Sequence, residues 1–513
     1  MAPKDRTTSA HDTIDSGVRD ARRAEVDVEV LVVGAGFSGL AMGHALRRVG
    51  VTSFRILEKA QDVGGTWREN TYPGAACDVP SHLYSFSFAP DPGWSRSYSP
   101  QPEILAYLRE TARQQDLLAH VVFGAEVIEA RFDEARGAWS VVSRDTQTGA
   151  STTTTSRSLV LGNGALHIPS IPRFEGAETF AGPQFHSARW DHAVDLRGKR
   201  VAVIGTGASA IQFVPAIQPD VAHLSVFQRT APWVVPKRDF AFSPTTKAIL
   251  KSVPALQRAY RAFIYGVNEA QAYGFVYEPR LMKLLGKLAI QHMHREIAHP
   301  VLRKKLTPTF VMGCKRVLLS NDWYRALRQP NVDVVTHAID RIETNGVRTR
   351  DGVLHEVDAI LYGTGFSVAE YLSSMRIHGR GGVELNERWQ KRPEVHLGIS
   401  VSGFPNLFLL MGPATGLGHN SMIFMIEAQA RYAAQCVRRI EDHGLRMLDV
   451  KPEAQAAFTR EVQERMKRTV WASGCASWYQ AGDGESVTAL WPGFTFEYWA
   501  RTRKPDFSQF VAT

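Results

Sequence analysis

The chain has 513 residues, of which 44% are hydrophobic and 22% charged, a composition that predicts two or three folded domains and excludes a largely disordered protein. No run approaches ~18 apolar residues and the N-terminus is polar, so we expect no membrane span, no signal peptide and a cytoplasmic location. The net charge of +9 is spread among interspersed acids and bases. This pattern argues weakly for nucleic acid and more strongly for anionic cofactors.

The cysteines exclude several kinds of site. Cys77, Cys314, Cys436 and Cys475 lie far apart and form no CxxC pair. The spacing argues against a disulfide framework, a zinc site and a dithiol redox centre. We therefore expect reduced, mainly structural thiols and no metal site.

The first motif follows an N-terminal extension, residues 1–25, and consists of a strand, a glycine-rich turn and a helix. Residues 28–33 form an apolar run typical of a buried parallel strand, and the turn that follows reads GAGFSG. Its glycines permit the bend, let a pyrophosphate approach the backbone and allow close packing of helix on strand. A second strand ends in an acid placed to accept from ribose hydroxyls. The motif predicts a dinucleotide site at Gly34, Gly36, Phe37, Ser38, Gly39, Glu58 and Lys59.

A long loop comes next, residues 64–78, with the sequence GGTWRENTYPGAACD. Loops of this length, rich in glycine and aromatic residues, usually hold a ligand. A surface turn is the simple role for Asp78, but a carboxylate beside a cofactor can orient a cation or a ribose, and we favour that role. Beyond it we expect a helix at 102–116, strands at 121–128, 139–142 and 158–161, and a threonine-rich hairpin tip at 146–156.

Residues 180–191 read FAGPQFHSARWD and lie between the first motif and a second one. An isolated loop histidine is usually a satisfied structural group. A segment that joins two nucleotide-binding units, however, passes close to both nucleotides. We therefore predict that His186 and Trp190 lie near the cofactors and that His186 couples domain motion to turnover rather than catalysing the reaction.

The strand, turn and helix pattern then repeats. Residues 199–204 lead into GTGASA, a second phosphate-binding turn with alanine at the third glycine position. The next strand ends in Arg229 instead of an acid, which favours the 2′-phosphate of NADPH over NADH. The predicted contacts are Gly205, Thr206, Gly207, Ala208, Ser209, Ala210, Gln212, Gln228, Arg229 and Thr230.

The segment 240–310 is rich in helix formers, lysine and arginine, and we interpret it as a helical insertion. Its apolar residues are mostly core and its basic residues mostly a solvated face, although an apolar substrate path or contact with a membrane surface stays open. After it, Lys315 and Arg316 interrupt an apolar run. Because such cations are seldom buried without partners, we expect them to face an anion.

The remainder, residues 356–513, is predicted to return to the first domain. Strands at 357–362 and 406–411 each end in a tight turn, and a helix at 423–442 follows. The N-terminus of that helix is placed to address the cofactor, which makes Met422 a candidate contact. Trp478 is either a core residue or a lid.

Two of these motifs resemble fingerprints of the type I (class B flavoprotein) Baeyer-Villiger monooxygenases. Residues 180–191 match FxGxxxHxxxW(P/D), and residues 64–78 match GGxWxxxx(F/Y)P(G/M)xxxD. The resemblance implies an α/β fold of two Rossmann-like domains that bind FAD and NADP. It also implies insertion of oxygen from O2 beside a ketone carbonyl, through a peroxide at flavin C4a, to give an ester or lactone.

The same resemblance implies roles for particular residues. Arg316 is similar to the family's active-site arginine, with Asp78 next to it, and Lys315 and Trp478 are similar to residues that hold NADPH. One departure is Ala76, where several relatives have arginine, which bears on substrate range. Further FAD contacts are implied at Gly65, Thr66, Trp67, Ala76, Cys77, Tyr84 and Val127.

Alternative functions use the same cofactors. A nitrogen- or sulfur-oxygenating flavin monooxygenase is disfavoured by Trp190-Asp191, and a disulfide reductase by the lack of a partner near Cys77 in sequence. An uncoupled NADPH oxidase stays open. The expected partners are a small ketone and O2, without nucleic acid, in a monomer or weak homo-oligomer. The predicted domains are FAD-binding (26–165 and 356–513), NADPH-binding (166–239 and 311–355) and the insertion (240–310).

Overall fold

The computed structural model describes residues 25–367, 372–475, 477, 479–480 and 486–513. The strands are β1 (Val28–Val33), β2 (Phe54–Glu58), β3 (Val121–Phe123), β4 (Ala125–Asp133), β5 (Ala138–Asp145), β6 (Ser151–Leu161), β7 (Gln184–His186), β8 (Arg200–Ile204), β9 (His223–Phe227), β10 (Val234–Val235), β11 (Leu318–Leu319), β12 (Val332–Val335), β13 (Ile339–Glu343), β14 (Gly346–Thr349), β15 (Leu354–Glu356), β16 (Ala359–Tyr362), β17 (Arg376–His378), β18 (Leu407–Leu409), β19 (Leu448–Val450) and β20 (Phe510–Ala512).

The helices lie between these strands, and four of them, within residues 244–306, follow one another without an intervening strand. They are α1 (Phe37–Arg48), α2 (Thr66–Glu69), α3 (Gln101–Gln114), α4 (Ala210–Ile217), α5 (Pro244–Ser252), α6 (Pro254–Ala272), α7 (Arg280–Glu296), α8 (Pro300–Leu306), α9 (Trp323–Leu327), α10 (Leu385–Trp389), α11 (Met422–Asp442), α12 (Pro452–Met466) and α13 (Thr495–Arg501). Alternation of strands and helices gives the predicted α/β class.

The first sheet is built around β1, which lies between β2 and β6 and is parallel to both. Its order is β17-β4-β5-β6-β1-β2-β3, and β18 also pairs with β6. The valines and leucine of β1 are at most 7% exposed, because helices such as α1 and α11 pack together over the sheet. An apolar strand buried on both faces is the expected centre of a parallel sheet, and this sheet positions the first glycine turn.

The threonine-rich hairpin tip predicted at 146–156 is wrong in extent. β6 begins at Ser151 and pairs with β5 through Thr155, so the run STTTT belongs to a strand. β-branched threonine fits a pleated, half-buried surface, and Thr154 is buried here. The turn itself is confined to the residues around Gly149.

The second sheet has the order β12-β9-β8-β16-β7, with parallel pairing throughout the order. β16 pairs with β8 and with β7, the strand that contains His186. The predicted return to the first domain at residue 356 is therefore wrong, since β16 still belongs to the second domain. A buried parallel strand has the same apolar pattern in either sheet, so the pattern does not identify the sheet.

The helical insertion is confirmed as α5 to α8, with a π-helical turn at Tyr273–Tyr277 between α6 and α7. On α7 the buried face consists of Met282, Gly286, Ala289 and Met293. Met282 and Ala289 join a core cluster with Trp233 and Met312, so α7 packs against the segment leading to Lys315 and Arg316. Among the described helices, none is long and apolar enough to cross a bilayer.

Candidate active site

A cleft of about 1950 Å³ lies where the carboxyl ends of the two sheets meet, and both glycine turns open into it. Carboxyl ends of parallel strands are the usual ligand-binding edge of such sheets. The predicted residues that line it are Gly34, Gly36, Phe37, Ser38, Glu58, Lys59, Gly65, Thr66, Trp67, Ala76, Cys77, Asp78, Tyr84, Val127, Gly205, Thr206, Gly207, Ala208, Ser209, Gln212, Gln228, Arg229, Thr230, Lys315, Arg316 and Met422.

At Gly34 and Gly39 the first glycine turn is too closely packed for a side chain. A Cβ at Gly39 would lie 1.8 Å from the Gly34 carbonyl oxygen, and one at Gly34, where φ is +93°, would lie 2.9 Å from the Gly162 oxygen. A Cβ at Gly36 would lie 3.4 Å from the Gly65 Cα. α1 begins at Phe37 without a side-chain cap, and its first residues, Phe37 and Ser38, line the cleft, so no capping side chain competes for the backbone amides there. This cradle fits a pyrophosphate.

Glu58 anchors the first turn. Its carboxylate accepts hydrogen bonds from the backbone N–H groups of Ala35 (2.8 Å) and Ala60 (3.0 Å) and from the Arg68 guanidinium (3.0 Å). The side chain is 4% exposed but borders the cleft. Its ribose contact stays a prediction. Arg68, on α2, also borders the cleft, and the sequence did not reveal it because no pattern distinguishes it from other arginines.

The second glycine turn is more open. A Cβ at Gly205, where φ is +109°, would lie 2.4 Å from the Gly363 oxygen, but one at Gly207 would come no nearer than 3.8 Å to that oxygen. Ala210 begins α4 and is fully buried. The open space above Gly207 fits the approach of a second pyrophosphate to the backbone.

Two cations lie near each other at the second turn. Arg229 is exposed and follows β9, and the Lys315 Nζ lies 5.0 Å from the centre of the Phe310 ring. Partial burial, together with the charge of Arg229, lowers the pKa of Lys315. Neighbouring like charges are stabilised by an anion between them. The arrangement suits a phosphate group, as the sequence predicts.

Asp78 and Arg316, separated by 238 positions in the chain, form an ion pair in the cleft. The Arg316 Nε and Nη2 donate to the same Asp78 oxygen at 2.9 and 2.6 Å. The Asp78 charge is the main cause that raises the pKa of Arg316 above its ordinary value. The arginine side chain is still 31% exposed, so a charged donor face remains open to the cleft.

Tyr479 packs beside this pair and was not predicted from the sequence. The residue is 1% exposed, and burial raises the pKa of its hydroxyl to about 12, an effect that the nearby Arg316 charge partly offsets. The phenol is therefore protonated near neutral pH. Its neighbour Trp478, predicted to hold NADPH, lies outside the described residues.

Gln212 joins the two domains at the cleft. Its side-chain amide accepts from the Tyr72 hydroxyl (2.9 Å) and donates to the Ala76 carbonyl oxygen (2.9 Å). Gly74 lies so close to α4 that a Cβ there would be 2.7 Å from the Gln212 carbonyl oxygen. α4 thus holds the loop that carries Asp78.

Among the residues that the structure describes, four predicted ones lie behind the cleft wall: Gly39, Ala210, His186 and Trp190. His186 is 2% exposed and its Nδ1 accepts from the Ala188 N–H at 3.1 Å. Burial lowers the pKa of His186 to about 4, so the ring is neutral. Trp190 packs on Phe185 and Phe213. The coupling role of His186 stays a prediction, while Arg189 between them does reach the cleft.

The expectation of four reduced thiols is wrong. Cys314 and Cys475 form a disulfide with a Cα–Cα distance of 6.2 Å. It joins the segment just before Lys315 to the segment just before Ser477 and Tyr479. Sequence spacing missed it because the partners are 161 positions apart and only the fold brings them together. Cys77 and Cys436 are free, and burial raises the pKa of both thiols.

Comparison with known proteins agrees with this geometry. Residues 27–256 match the family model described as flavin-binding monooxygenase-like. A Baeyer-Villiger monooxygenase of Pseudomonas aeruginosa is 44% identical over 94% of this chain and 91% of its own length. One of Streptomyces coelicolor is 45% identical over 94% and 92%. A crystal structure of OTEMO in complex with FAD and NADP superimposes with a TM-score of 0.85 at 26% identity, covering 96% of this chain and all of that one.

Proposed function

The chain belongs to the Baeyer-Villiger monooxygenases, and we propose on that premise that Arg316 is the catalytic cation of its ketone-oxygenating site. The enzyme uses FAD and NADPH and inserts one oxygen atom from O2 beside a ketone carbonyl, which gives an ester or a lactone. The observation that carries the assignment of the site is the Asp78–Arg316 ion pair, which borders the cleft shared by the two glycine turns.

We propose that the first turn and the loop after it hold FAD. The backbone around Gly34, Gly36 and Gly65 forms the close-packed cradle, and Trp67 donates through Nε1 to the Tyr84 hydroxyl at 3.1 Å, which fixes both rings at the cleft wall. The second turn, with Arg229 and Lys315, holds NADPH and its 2′-phosphate. When bound, these cofactors supply the electrons and the oxygen-activating chemistry.

Arg316 meets the electrostatic need of the reaction. Attack on a ketone carbonyl develops negative charge on oxygen, and a fixed cationic donor stabilises that charge by ~3 to 4 kcal/mol. Guanidinium keeps its protons near neutral pH, and Asp78 raises its pKa further. Arg316 therefore stabilises an oxyanion without protonating it.

Asp78 orients the guanidinium. The two hydrogen bonds that Arg316 donates to one Asp78 oxygen fix the plane of the guanidinium, and Arg316 borders the cleft in which we place the ketone. Loss of Asp78 would leave a half-buried cation without its partner and free to rotate.

The substrate is a ketone whose class we infer from the pocket wall. Ala76, two residues before Asp78, contributes a small uncharged side chain to the cleft wall. We propose that this favours apolar ketones. The cytoplasmic location and the monomeric or weakly associated state expected from the sequence stay predictions.

The test replaces Arg316 with alanine and with lysine. Arg316→Ala should lower ester formation by roughly 10²- to 10³-fold while FAD content and NADPH oxidation remain, because it removes one transition-state donor. Arg316→Lys keeps the positive charge but cannot donate two hydrogen bonds from a planar group to Asp78, so it should retain only part of the wild-type rate. Product is measured by mass spectrometry across linear, cyclic and aromatic ketones, with a sulfide included to detect sulfur oxygenation.

Arg465→Ala is the matched control. Arg465 also forms a partly buried ion pair, with Glu497 at 2.6 Å, but does not border the cleft. The Arg465→Ala variant measures how much activity and stability are lost when a partly buried ion pair outside the cleft is removed. Normal ester formation by Arg316→Ala would refute the catalytic assignment.

A further inference from the structure

The helical insertion exposes an unusual amount of apolar surface. Of the 21 large apolar side chains that are exposed in the described residues, 12 lie between Ile249 and Val301. The most exposed are Phe263 (66%), Val301 (57%), Leu284 (56%) and Leu288 (54%). Scattered single residues of this kind are ordinary, but such a concentration marks an interaction surface.

The exposed side chains follow helical stripes. On α6, Leu256, Phe263 and Val267 share one face, beside the buried Gln257 and Ile264. On α7, four leucines, 281, 284, 285 and 288, lie on one side of the buried face described above. Residues three, four and seven apart lie on one helix face, so each helix presents a continuous apolar ridge.

The charge of the same segment is strongly one-sided. Residues 244–306 contain eleven lysines and arginines and three glutamates, a formal charge of +8 within a chain of net charge +9. None of the glutamates is fully exposed: Glu269 is buried against Thr495, Glu296 lies 3.4 Å from Arg328, and Glu278 is half-buried. The exposed charges are all basic: Lys251, Arg258, Arg280, Lys283, Lys287, Arg295 and Lys304.

We propose that this surface, α5 to α8, docks the enzyme on an anionic lipid bilayer. Interfacial helices combine an exposed apolar stripe with flanking lysine and arginine, and bind where acyl chains meet acidic headgroups. On α7, Lys283 and Lys287 lie on the side of the buried face opposite the leucines, so the helix has separate core, apolar and cationic sides. The apolar ridge enters the interface, and the cations contact lipid phosphates.

A second copy of this chain fits the surface less well. An interface formed by two identical patches would oppose two segments of charge +8, and lysine is depleted from the cores of protein interfaces. An anionic bilayer neutralises the same charges.

The docked surface would lie one helix away from the catalytic segment. The inner side of α7 contacts Trp233 and Met312: a Cβ at Gly286 would lie 3.2 Å from the Trp233 ring and 3.6 Å from the Met312 Cβ. Arg316 follows Met312 by four residues. The proposed docking surface and the segment that leads to Arg316 thus contact different sides of α7.

The experiment is co-sedimentation of the full-length, flavin-loaded enzyme with vesicles of phosphatidylcholine alone or mixed with phosphatidylglycerol, at low and high salt. We expect binding to the mixed vesicles that weakens with salt, and little binding to phosphatidylcholine. Lys283→Glu/Lys287→Glu should weaken binding about tenfold or more. Phe263→Ser/Leu288→Ser should also weaken vesicle binding. Because salt does not screen the apolar contribution, this variant should lose a similar factor at low and at high salt.

Two controls carry matched changes outside the insertion. Lys391→Glu/Lys504→Glu changes the net charge equally, and Val353→Ser/Val511→Ser removes apolar side chains that are 48% and 47% exposed. Both should bind vesicles normally, and all four variants should oxidise a water-soluble ketone at the wild-type rate. The proposal is overturned if anionic vesicles are not bound at low salt or if the controls lose binding equally. It is also overturned if light scattering shows a dimer that Phe263→Ser/Leu288→Ser dissociates while vesicle binding is unchanged.

Discussion

The two glycine turns share one backbone plan but differ in packing and charge. At the third glycine position the first turn has Gly39, where a Cβ would overlap the Gly34 oxygen at 1.8 Å, and the second has Ala210, whose methyl group is accommodated. At the end of the next strand the first has Glu58 and the second Arg229. The first turn is thus a rigid part of the fold. The second is more open and has a positive charge, Arg229, that favours a cofactor with an additional phosphate.

If FAD binds at the first turn and NADPH at the second, as we propose, one supersecondary unit serves two cofactors through different packing. The first turn is in contact with Gly65 and Gly162, so the flavin site that we propose there is part of the packed core of its domain. In the second turn Gly205 packs against Gly363, whereas Gly207 has open space beside it. A site that must load and release NADPH in each cycle benefits from such openness.

The largest expected effect is that of Gly39→Ala. Its methyl group would meet a backbone oxygen that cannot move without breaking the β1–α1 junction, so we expect more than about 4 kcal/mol of destabilisation and no flavin-loaded protein. The measurement is the ratio of flavin to protein absorbance, with circular dichroism. Gly43→Ala, one turn later, meets side-chain ends, of which Leu117 is the nearest, and should retain flavin. A flavin-loaded Gly39→Ala enzyme would show that the first turn is not rigid.

Arg229→Ala should have an intermediate and selective effect. Loss of a charge-assisted contact to a phosphate costs about 1.5 to 3 kcal/mol, so the KM for NADPH should rise about 10- to 100-fold while the KM for NADH changes little. Steady-state kinetics with both cofactors provides the test. An equal loss with NADH would show that Arg229 supports the turn as a whole instead of reading the 2′-phosphate.

The smallest effect belongs to Ala210→Gly, which restores a glycine to the third position. A glycine in the first turn of a helix costs about 0.5 to 1 kcal/mol, so the melting temperature should fall by a few degrees or less and the KM for NADPH should stay near its original value. Scanning fluorimetry and kinetics measure both. A large gain in NADPH affinity would mean that the Ala210 methyl group, and not the open turn, limits cofactor approach.

Local sequence patterns were sufficient to predict individual strands, turns and helices. β1 has the predicted bounds, and β8 begins one residue later than expected, because an apolar run followed by a glycine turn specifies strand and bend together. The helical insertion was predicted from the local enrichment of helix formers in residues 240–310. Sheet membership of β16 was not, since it depends on contacts with β7 and β8 that the run itself does not encode.

The active-site pair illustrates the same limit. Chemistry explains why a cation at Arg316 and an acid at Asp78 each need partners, but their pairing across 238 positions was implied by family resemblance and not by spacing. His186 was expected near the cofactors, yet its ring is used to cap the turn at Ala188. Such assignments depend on tertiary neighbours, and the position of Tyr479 beside Arg316 was missed for that reason.

The Cys314–Cys475 bond also constrains the unfolded chain. It closes a covalent ring of about 160 residues that contains β12 to β16 and, from the first sheet, β17 and β18. In the chain-entropy description, closing a ring of this size lowers the conformational entropy of the denatured ensemble and raises its free energy by about 5 kcal/mol. The segment that precedes Arg316 is therefore cross-linked to the C-terminal region even in the unfolded chain, and the oxidised polypeptide begins refolding with the two already held together.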